Sequence, residues 1–530
     1  MPRLALLALV SVCIGLTQGC ATHVSSESSV RILHTNDTHG SLAGGDESLR
    51  PCIRPEACYG GYGRIARAIR SIKEKDPGAY AVDAGDLWQG SLYFRVAKAA
   101  FAKDVAVAMP WDAATAGNHE FDLGCAALRE YLEVTPAPLL MSNVAPDREC
   151  PLHGARYDTL RVVEINGARV GFFGLVNDNV RANSSACEQT RFLDRYEAAE
   201  RAVKQLSSQG VDRIVAITHI GYALDLELAR RVRGIDVIIG GHSHTLLGTS
   251  HPKRSGPYPT VVESPNGEKT LVATAFFGGR LLGDLNVTFD DQGRVVDWSG
   301  RLHDLHPDYP SDPKIDDVLT DYLPLVTGHM AEPLAENPKI ESEDPTACRT
   351  AVCTSGAVLV DAYAEFGRRH GASVALINGG AVRYRLPTGV ITRGDVMQSY
   401  PYDDQPVIFE VTGKAIRTLL ENGAAGRSPR FVQTAGLRYC VDLSQRSGQR
   451  IVDVDIGDDA NGWTDLEESS VYRIVVSTYM ARGRGEFAPL AGLDPVLVGD
   501  VSETDMISDH LKRLGRLPDY GNDRIVVIRK

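Results

Sequence analysis

The stretch Gly117-Asn118-His119-Glu120-Phe121-Asp122 places an amide, an imidazole and two carboxylates within six residues. Side chains of these types bind metal ions and transfer protons. A single stretch of this kind can also be an ordinary turn, so its meaning depends on its surroundings. Four more polar clusters lie before and after it in the chain, and each of them follows a short apolar run.

In each of these clusters, an apolar run of strand length ends at side chains of the metal-binding type. Together with the polar residues that follow them, the four runs span residues 30–39, 79–86, 214–219 and 236–244. In an α/β protein the carboxyl ends of parallel strands meet at one edge of the sheet, which is where sites are built. The sequence therefore predicts an α/β fold with a polar site along one sheet edge.

The side chains at these strand ends are imidazoles, carboxylates and one amide, with no thiolate. They are Asp37, His39, Asp86, Asn118, His219, His242 and His244. This donor set favours zinc, manganese, cobalt or iron. Seven donors exceed the needs of one ion, whereas two ions about 3.5–4 Å apart with a shared carboxylate are used for in-line attack on phosphorus esters. The sequence therefore predicts two divalent metal ions.

The order D-x-H, G-D, G-N-H-E-F-D, T-H and G-G-H-S-H resembles the calcineurin-like metallophosphoesterases, and in particular the 5'-nucleotidase family. This resemblance implies one ion bound by Asp37, His39, Asp86 and His244. It implies a second ion bound by Asp86, Asn118, His219 and His242, so that Asp86 is the bridge. It also implies His119 and Asp122 as a catalytic dyad, attack of a metal-bound hydroxide on phosphorus, and Asn143 near the reacting phosphate.

The domain organisation follows from composition and periodicity. Alternating strand and helix patterns predict a layered α/β domain over residues 30–305, and the resemblance implies the four-layer type. Helices are expected at Glu197 to Leu206 and Leu224 to Val232, and closing strands at Thr270 to Phe276 and Gly283 to Phe289. A Pro- and Asp-rich stretch followed by a helix from Lys314 to Met330 predicts a linker over 306–335, before a second α/β domain over 336–530.

The second domain resembles the 5'-nucleotidase C-terminal domain, which binds substrate. An apolar strand followed by Asn378-Gly379-Gly380-Ala381-Val382-Arg383 provides a close backbone approach and a fork-shaped phosphate ligand. The resemblance implies substrate-binding roles for Arg349, Asn378, Gly380, Arg383, Tyr402 and Tyr479. The two tyrosines would stack on a base, each stack contributing about 1–3 kcal/mol. Alternatively, both tyrosines pack within the domain.

One stretch departs from the family pattern G-G-D-G-[YF]. Here the chain has Gly483-Arg484-Gly485-Glu486-Phe487, so Gly485 stands where the family has an aspartate that binds ribose. Glu486 is the nearest carboxylate. We therefore expect poor discrimination between ribo- and deoxyribonucleotides.

The N-terminus predicts export. Met1-Pro2-Arg3 and the apolar run to Leu16 have the form of a signal peptide over residues 1–19, too short for an ordinary membrane span. Gly19-Cys20 resembles a bacterial lipobox, although Thr17 and Gln18 depart from it, and residues 20–29 form a Ser-rich tether. The expected location is the bacterial cell envelope with a lipid anchor, and plain secretion to the periplasm or medium is the alternative.

The cysteines also fit an exported protein, since none of the ten is an expected metal ligand. Short spacings favour disulfides between Cys52 and Cys58 and between Cys348 and Cys353. Cys150 with Cys187 is the third expected pair. Cys125 and Cys440 are left without an assignment.

Length and charge limit the functions that fit. A chain of 530 residues can form two domains, and a formal net charge of −12 argues against a nucleic-acid polymer as partner. We expect an exported enzyme that releases phosphate from nucleoside 5'-monophosphates or related small phosphate esters. The alternatives are a cyclic-nucleotide phosphodiesterase, nucleotide-sugar hydrolase or sulfur-ester hydrolase on the same scaffold, and a nucleotide-binding protein without turnover. The oligomeric state is not predicted.

Overall fold

The structure is a computed structural model that describes most of the chain. The described residues are 27–47, 51–182, 184–248, 254–263, 267–339, 347–402, 404–425, 431–483, 485–521 and 523–528. The expected signal peptide, Cys20 and most of the tether lie outside them. Among the helices described, none combines the length and apolar character needed to cross a membrane.

The first part of the chain alternates strands and helices as predicted. Its strands are β1 (Ser28–Thr35), β2 (Tyr80–Asp83), β3 (Ala113–Ala114), β4 (Val144–Pro146), β5 (Leu160–Ile165), β6 (Ala168–Val176), β7 (Thr190–Phe192), β8 (Arg213–His219), β9 (Val237–Gly240), β10 (Thr260–Glu263), β11 (Lys269–Ala273), β12 (Leu281–Phe289) and β13 (Val295–Asp304). Its helices are α1 (Tyr62–Lys75), α2 (Leu92–Ala108), α3 (Gly124–Val134), α4 (Arg195–Ser208) and α5 (Tyr222–Arg231). The helices and closing strands expected between residues 197 and 289 are confirmed, with ends shifted by a few residues.

These elements form the four layers that the resemblance implied. One sheet has the order β13-β12-β1-β2-β3, and the other has the order β10-β11-β9-β8-β6-β5. Apolar side chains from both sheets, such as Ile32 and Val237, pack together in one buried core between them. Helices α1, α2 and α3 cover the outer face of the first sheet, and α4 and α5 cover that of the second.

The strands that precede the polar clusters run parallel within each sheet. In the first sheet β1 pairs in parallel with β2, and in the second β8 pairs in parallel with β9. Their carboxyl ends therefore lie on one side of the molecule, where the loops after them carry the predicted ligands. This is the sheet edge that the sequence predicted.

A long helix connects the two α/β regions. Helix α6 (Pro313–Met330) begins with Asp312, whose side chain accepts a hydrogen bond from the Lys314 backbone N–H, and with a proline in its first turn. Tyr322 of α6 donates a 2.7 Å hydrogen bond to Asp104 of α2 and packs edge-on against Phe101. The linker helix is therefore packed on the first sheet's outer layer.

The second region is also α/β. Its strands are β14 (Pro333–Asn337), β15 (Val374–Asn378), β16 (Gly389–Thr392), β17 (Pro406–Thr412), β18 (Val432–Ala435), β19 (Leu437–Asp442), β20 (Ile451–Asp458), β21 (Gly462–Asp465), β22 (Val471–Ser477), β23 (Leu497–Val498) and β24 (Ile525–Ile528). Its helices are α7 (Thr354–Arg369), α8 (Arg393–Ser399), α9 (Gly413–Ala424), α10 (Thr478–Ala481) and α11 (Glu503–Leu514). The central sheet has the order β18-β15-β22-β17-β23, with α7 packed against it.

Two of the three expected disulfides are confirmed and one is wrong. Cys52 is bonded to Cys58 and Cys348 to Cys353, but Cys187 is bonded to Cys125 and not to Cys150. Cys125 lies in the first turn of α3, which faces the segment before β7, so two cysteines approach Cys187 from different elements. Spacing along the chain does not show which of them is bonded. Cys150 and Cys440 are free cysteines.

His34 in β1 makes the stability of this fold depend on pH. Its ring is fully buried and contacts the Tyr258 hydroxyl at 2.7 Å, and burial lowers its pKa from 6.5 to about 3. The unfolded chain therefore binds a proton between these values that the folded chain does not, so this contribution is complete above pH 6.5 and is lost as the pH falls toward 3.

We expect His34→Gln to flatten the acid side of the stability profile by up to about 1.4 kcal/mol per pH unit. The free energy of unfolding, measured by urea titration from pH 7 to pH 5 at fixed free metal, gives this slope. Equal slopes for wild type and variant would show that His34 does not titrate in this way.

Candidate active site

Six of the seven predicted metal ligands lie in two neighbouring groups at the sheet edge, and the seventh, Asn118, is buried directly after Gly117, which lies against Asp86. In the first, the Nε2 atoms of His39 and His244 are 3.0 Å apart, and His244 Nε2 is 3.5 Å from Asp37 Oδ1. In the second, His219 Nε2 is 3.0 Å from Asp86 Oδ2, and His242 offers a nitrogen within reach of both. Asp37 Oδ1 is also 3.8 Å from His219 Nε2, so the two groups are contiguous.

The loops that carry these ligands have an unusual backbone. Asp37, His39, Asp86, His242 and His244 all have positive φ angles, between 48° and 80°. Residues other than glycine rarely adopt this conformation, which costs on the order of 1–3 kcal/mol each. The surrounding sheets and loops therefore hold these five ligands against a local preference, as is common at functional sites.

Close packing also fixes the position of Asp86. A Cβ added at Gly117 would lie 2.0 Å from Asp86 Oδ1, so only glycine allows the two loops to approach this closely. The backbone N–H of His119 donates a 2.9 Å hydrogen bond to the same oxygen. The G-N-H-E stretch thus positions Asp86 as well as supplying ligands of its own.

The chemistry of the two groups fits divalent cations. Asp37 and Asp86 are buried, and among the described residues no lysine or arginine pairs with either carboxylate. The Oδ1 of Asn118 is buried and has no hydrogen-bond partner among the described residues, and the buried His219 Nε2 faces Asp86 Oδ2 at 3.0 Å. Two buried carboxylates that share one facing imidazole, and a buried amide oxygen without a partner, are costly unless an ion compensates them.

Burial also keeps most of the imidazoles neutral. It lowers the pKa of His39 to about 3 and those of His242 and His244 to about 4. A neutral imidazole presents a nitrogen lone pair, which is the form that binds a metal ion. With carboxylates and an amide beside them, these rings form a donor set suited to the first-row metals that the sequence indicated.

His119 and Asp122 form a hydrogen-bonded pair beside the metal ligands. His119 Nδ1 is 2.6 Å from Asp122 Oδ2, and the Ser184 hydroxyl donates a 2.6 Å hydrogen bond to the other oxygen of Asp122. His119 Nε2 faces the ligand groups at 4.0 Å from Asp86 Oδ2. Burial disfavours a charge on His119, but Asp86 and Asp122 outweigh it and raise its pKa to about 9.

Glu120 has a role that the sequence reasoning missed. Its buried carboxylate accepts backbone hydrogen bonds of 2.6–3.1 Å from Gly117, Asp86, Leu87 and Trp88. These four N–H groups belong to the two loops that carry Asp86 and Asn118. Glu120 therefore joins the loops from behind without facing the ligands. In the sequence, the position of Glu120 inside the G-N-H-E motif is the feature that could have indicated this role.

We expect Glu120→Gln to weaken metal binding by about 10–100-fold. The glutamine amide has one oxygen in place of two, so its NH₂ group would face backbone N–H donors that need an acceptor. Metal content after dialysis against a series of buffered metal concentrations measures this change. Glu133→Gln, an exposed glutamate on α3, is the matched control. If Glu120→Gln binds metal as tightly as this control does, the carboxylate does not support the site.

The predicted substrate residues of the second domain face the same site across a cleft. The cleft has a volume of about 690 Å³ and is lined by His119, Asp122 and Ser184 on one side. The other side contains six of the predicted residues, namely Arg349, Asn378, Gly380, Arg383, Tyr402 and Tyr479. The Arg383 guanidinium lies over the Tyr402 ring, 5.5 Å from its centroid. Tyr402 and Tyr479 are 47% and 50% exposed, so their rings are not packed in the core.

Asn143 is placed differently from the expectation. It is fully buried, its Oδ1 accepts from the Val176 N–H at 2.9 Å, and its Nδ2 donates to the Val176 carbonyl at 2.7 Å. Both ends of the amide thus connect β6 to the loop before β4, and Asn143 does not line the cleft. Motif position alone could not show that its side chain is used by the backbone.

The loop that departs from the family pattern reaches the cleft through Glu486. Glu486 lines the cleft, and its backbone carbonyl accepts a 2.9 Å hydrogen bond from Asn422. Gly485 has a φ of +56°, and a Cβ added there would meet no atom within 4 Å. The carboxylate of Glu486 therefore lines the cleft directly beside Gly485 in the chain, and Asp404 and Asp500 line the same cleft.

Comparison with known proteins gives the same two-part division. The sequence profile of the calcineurin-like phosphoesterases matches residues 30–246, and that of the 5'-nucleotidase C-terminal domain matches residues 326–492. Human 5'-nucleotidase is 28% identical over 507 residues, covering 91% of this chain and 88% of the human chain. Snake venom 5'-nucleotidase from Crotalus adamanteus is 26% identical over 539 residues, covering 97% and 91%.

A solved structure matches both regions together. The crystal structure of the 5'-nucleotidase precursor from Thermus thermophilus superposes with a TM-score of 0.75 at 34% identity, covering 95% of this chain and all of that one. The four layers and the carboxylate and imidazole groups at the sheet edge define a calcineurin-like, metal-dependent phosphoesterase. With the matching second domain, the chain belongs to the 5'-nucleotidase family, and it is a hydrolase.

Proposed function

We propose that this protein removes the phosphate from nucleoside 5'-monophosphates. The observation that supports this most directly is the cleft shared by the His119–Asp122 pair and the second domain, beside a pocket that His39 and His244 line together with Arg383 and Tyr402. At one side are His119 and Asp122, and at the other are two arginines and two exposed tyrosine rings. A phosphate held by the arginines and a base stacked on the rings would match a nucleotide in size and chemistry.

We assign the seven ligands to two divalent ions as the family pattern implies. Asp37, His39, Asp86 and His244 would hold one ion, and Asp86, Asn118, His219 and His242 the other. Zinc, manganese, cobalt and iron all suit these donors. When bound, such ions activate water and neutralise charge on the phosphate. The Asp86 carboxylate, fixed by Gly117 and Glu120, would be shared between them.

The remaining residues would orient the substrate and transfer a proton. Asp122 holds the His119 ring through Nδ1, so that Nε2 points toward the metal-ligand groups and can stabilise a phosphate oxygen or protonate the departing ribose oxygen. Ser184 fixes Asp122 in turn. Arg349 and Arg383 would bind the phosphate from the second domain, and Asn378 and Gly380 would line its path.

A hydrolysis screen with metal supplementation, read by chromatography of the nucleotide products together with assays of released phosphate and sulfate, tests this function. It compares nucleoside 5'-monophosphates with 2',3'-cyclic nucleotides, nucleotide sugars, sulfur esters and simple aryl phosphates. We expect the highest kcat/KM for 5'-monophosphates, and we expect Arg383→Ala and Tyr479→Ala to raise KM for these more than for aryl phosphates. Preference for another class in the panel would replace the proposed substrate while leaving the phosphoesterase class unchanged.

Ribose recognition gives a separate prediction. Gly485 cannot bind ribose hydroxyls, whereas an aspartate there would have room and tolerates positive φ. We expect the wild type to separate ribo- from deoxyribonucleotides poorly, and Gly485→Asp to raise the ribose preference by about 1–3 kcal/mol. The ratio of kcat/KM for AMP and dAMP measures it, and Glu486→Ala is the comparison. A wild-type ratio of a hundred or more that persists in Glu486→Ala would contradict this account.

We also propose that the protein is exported and attached to the cell envelope through Cys20. The apolar run before Gly19-Cys20 and the three disulfides of the described residues support export. Membrane fractionation and lipid labelling of wild type and Cys20→Ser test the anchor. A wild type that carries no lipid would leave plain secretion as the route.

A further inference from the structure

Three cysteines meet around one hydroxyl beside the catalytic pair. Cys125 and Cys187 form a disulfide, and the sulfur of the free, buried Cys150 lies 3.0 Å from Cys187 Sγ. The Thr190 hydroxyl contacts all three sulfurs, at 3.1 Å from Cys150, 3.0 Å from Cys187 and 3.6 Å from Cys125. A free thiol in contact with a disulfide is the arrangement that thiol–disulfide exchange requires.

The existing disulfide joins two segments that hold the catalytic pair. Cys125 lies three residues after Asp122, and Cys187 lies three residues after Ser184, whose hydroxyl donates to Asp122. The Cys187 N–H also donates a 3.1 Å hydrogen bond to Cys125 Sγ. The disulfide therefore fastens the segment that carries Ser184 to the turn that carries Asp122.

A bond from Cys187 to Cys150 would fasten a different pair of segments. Cys150 follows β4, and Cys187 precedes β7, and these two strands already pair antiparallel. The Asp147 N–H also donates a 2.8 Å hydrogen bond to the Gln189 carbonyl. A disulfide between Cys150 and Cys187 would therefore reinforce an existing contact. It would leave the start of α3 without a covalent link to the segment before β7.

We propose that Cys150 and the Cys125–Cys187 disulfide form an exchangeable thiol–disulfide site that controls how firmly Asp122 is held. The Cys150 thiol loses its proton and its sulfur attacks Cys187 Sγ. The Cys150–Cys187 bond forms as the Cys187–Cys125 bond breaks, and the electron pair leaves on Cys125 Sγ, which takes up a proton. No electrons are gained or lost overall, and the Thr190 hydroxyl lies where it can pass the proton between the sulfurs.

The two forms should differ in turnover. With Cys125–Cys187 bonded, Ser184 is held against Asp122, and His119 is oriented by both. After exchange, this support is loosened, so kcat falls while substrate binding by the second domain is unaffected. The site thus provides a slow and a fast form of one enzyme that interconvert without an external oxidant.

A matched pair of full-length variants tests the proposal. In Cys125→Ser only the Cys150–Cys187 bond can form at this site, and in Cys150→Ser only Cys125–Cys187 can form. We expect both proteins to show no reactive thiol here, and we expect Cys125→Ser to have a kcat at least about threefold lower than Cys150→Ser at unchanged KM. Cys440→Ala, which removes the remote free cysteine, is the control. Two free thiols in folded Cys125→Ser, or equal kcat values for the pair, would overturn it.

Disulfide mapping of the wild type gives a second readout that needs no substrate and no variant. The protein is held at pH 9, quenched in acid, alkylated and digested, and linked peptides are identified by mass spectrometry. We expect both Cys125–Cys187 and Cys150–Cys187 linkages, with the third cysteine alkylated in each. Finding only one linkage after incubation would overturn the proposal, whatever the preferred substrate proves to be.

Discussion

Asp86→Asn is expected to lose at least one metal ion per chain and to lower kcat on the order of 10³-fold or more. The reason is that we assign Asp86 as the carboxylate shared by the two ions, and a neutral amide cannot bridge two cations. The variant keeps the shape of the side chain. This matters because Gly117 packs closely against Asp86 Oδ1 and the His119 N–H donates a hydrogen bond to it, so a side chain of another shape would disturb both loops. Metal content by elemental analysis and phosphate release at saturating metal measure the two effects.

An exposed aspartate provides the control for this change. Asp297→Asn on β13 alters the same functional group away from the cleft and is expected to keep both metal and rate. If Asp86→Asn retains two ions per chain with a rate within tenfold of the control, Asp86 is not the bridge, and the division of ligands between two ions must be redrawn.

His119→Ala is expected to have the opposite combination, with metal retained and the rate reduced by about 10²–10⁴-fold. His119 lies beside the ligands and is oriented by Asp122, so its loss removes a proton donor or charge stabiliser without removing a ligand. Asp122→Ala should cost less, because the ring remains but is no longer held. Ser184→Ala should cost least, because it acts only through Asp122.

This series is read through kcat at saturating metal, with metal content measured in each variant. The expected order of rate losses is His119→Ala, then Asp122→Ala, then Ser184→Ala. Loss of metal in His119→Ala would place this histidine among the ligands. An equal rate loss for Ser184→Ala and His119→Ala would mean that Ser184 itself contacts the substrate.

Much of the fold and site could be predicted because the ends of the strands are marked in the sequence. In β1, β2, β8 and β9 a buried apolar run stops at the residue where ligand-type side chains begin, and parallel pairing brings those ends together. The linker helix was equally visible, because Asp312 and Pro313 form a helix start that is readable in sequence. These signals lie in residues that are neighbours along the chain, so they can be recognised in a single sequence.

The missed features all depend on contacts between distant parts of the chain. Ser184 reaches Asp122 across 62 residues, and the choice between Cys125 and Cys150 as partner of Cys187 is decided by packing before β7. Asn143 matched a motif position, yet its amide is used by the backbone of β6. No spacing rule contains such information, since each contact is set by how separate elements pack.

The residues that line the cleft come from two structural units. Among the described residues, all seven predicted metal ligands and the His119–Asp122 pair come from the first four layers, while the arginines and tyrosines across the cleft from His119 come from the second domain. With the roles proposed above, the groups for the reaction and those for substrate choice would come from different halves of the chain. Substitutions after residue 336 would then change the preferred phosphate ester without altering the residues proposed to hold the metal ions.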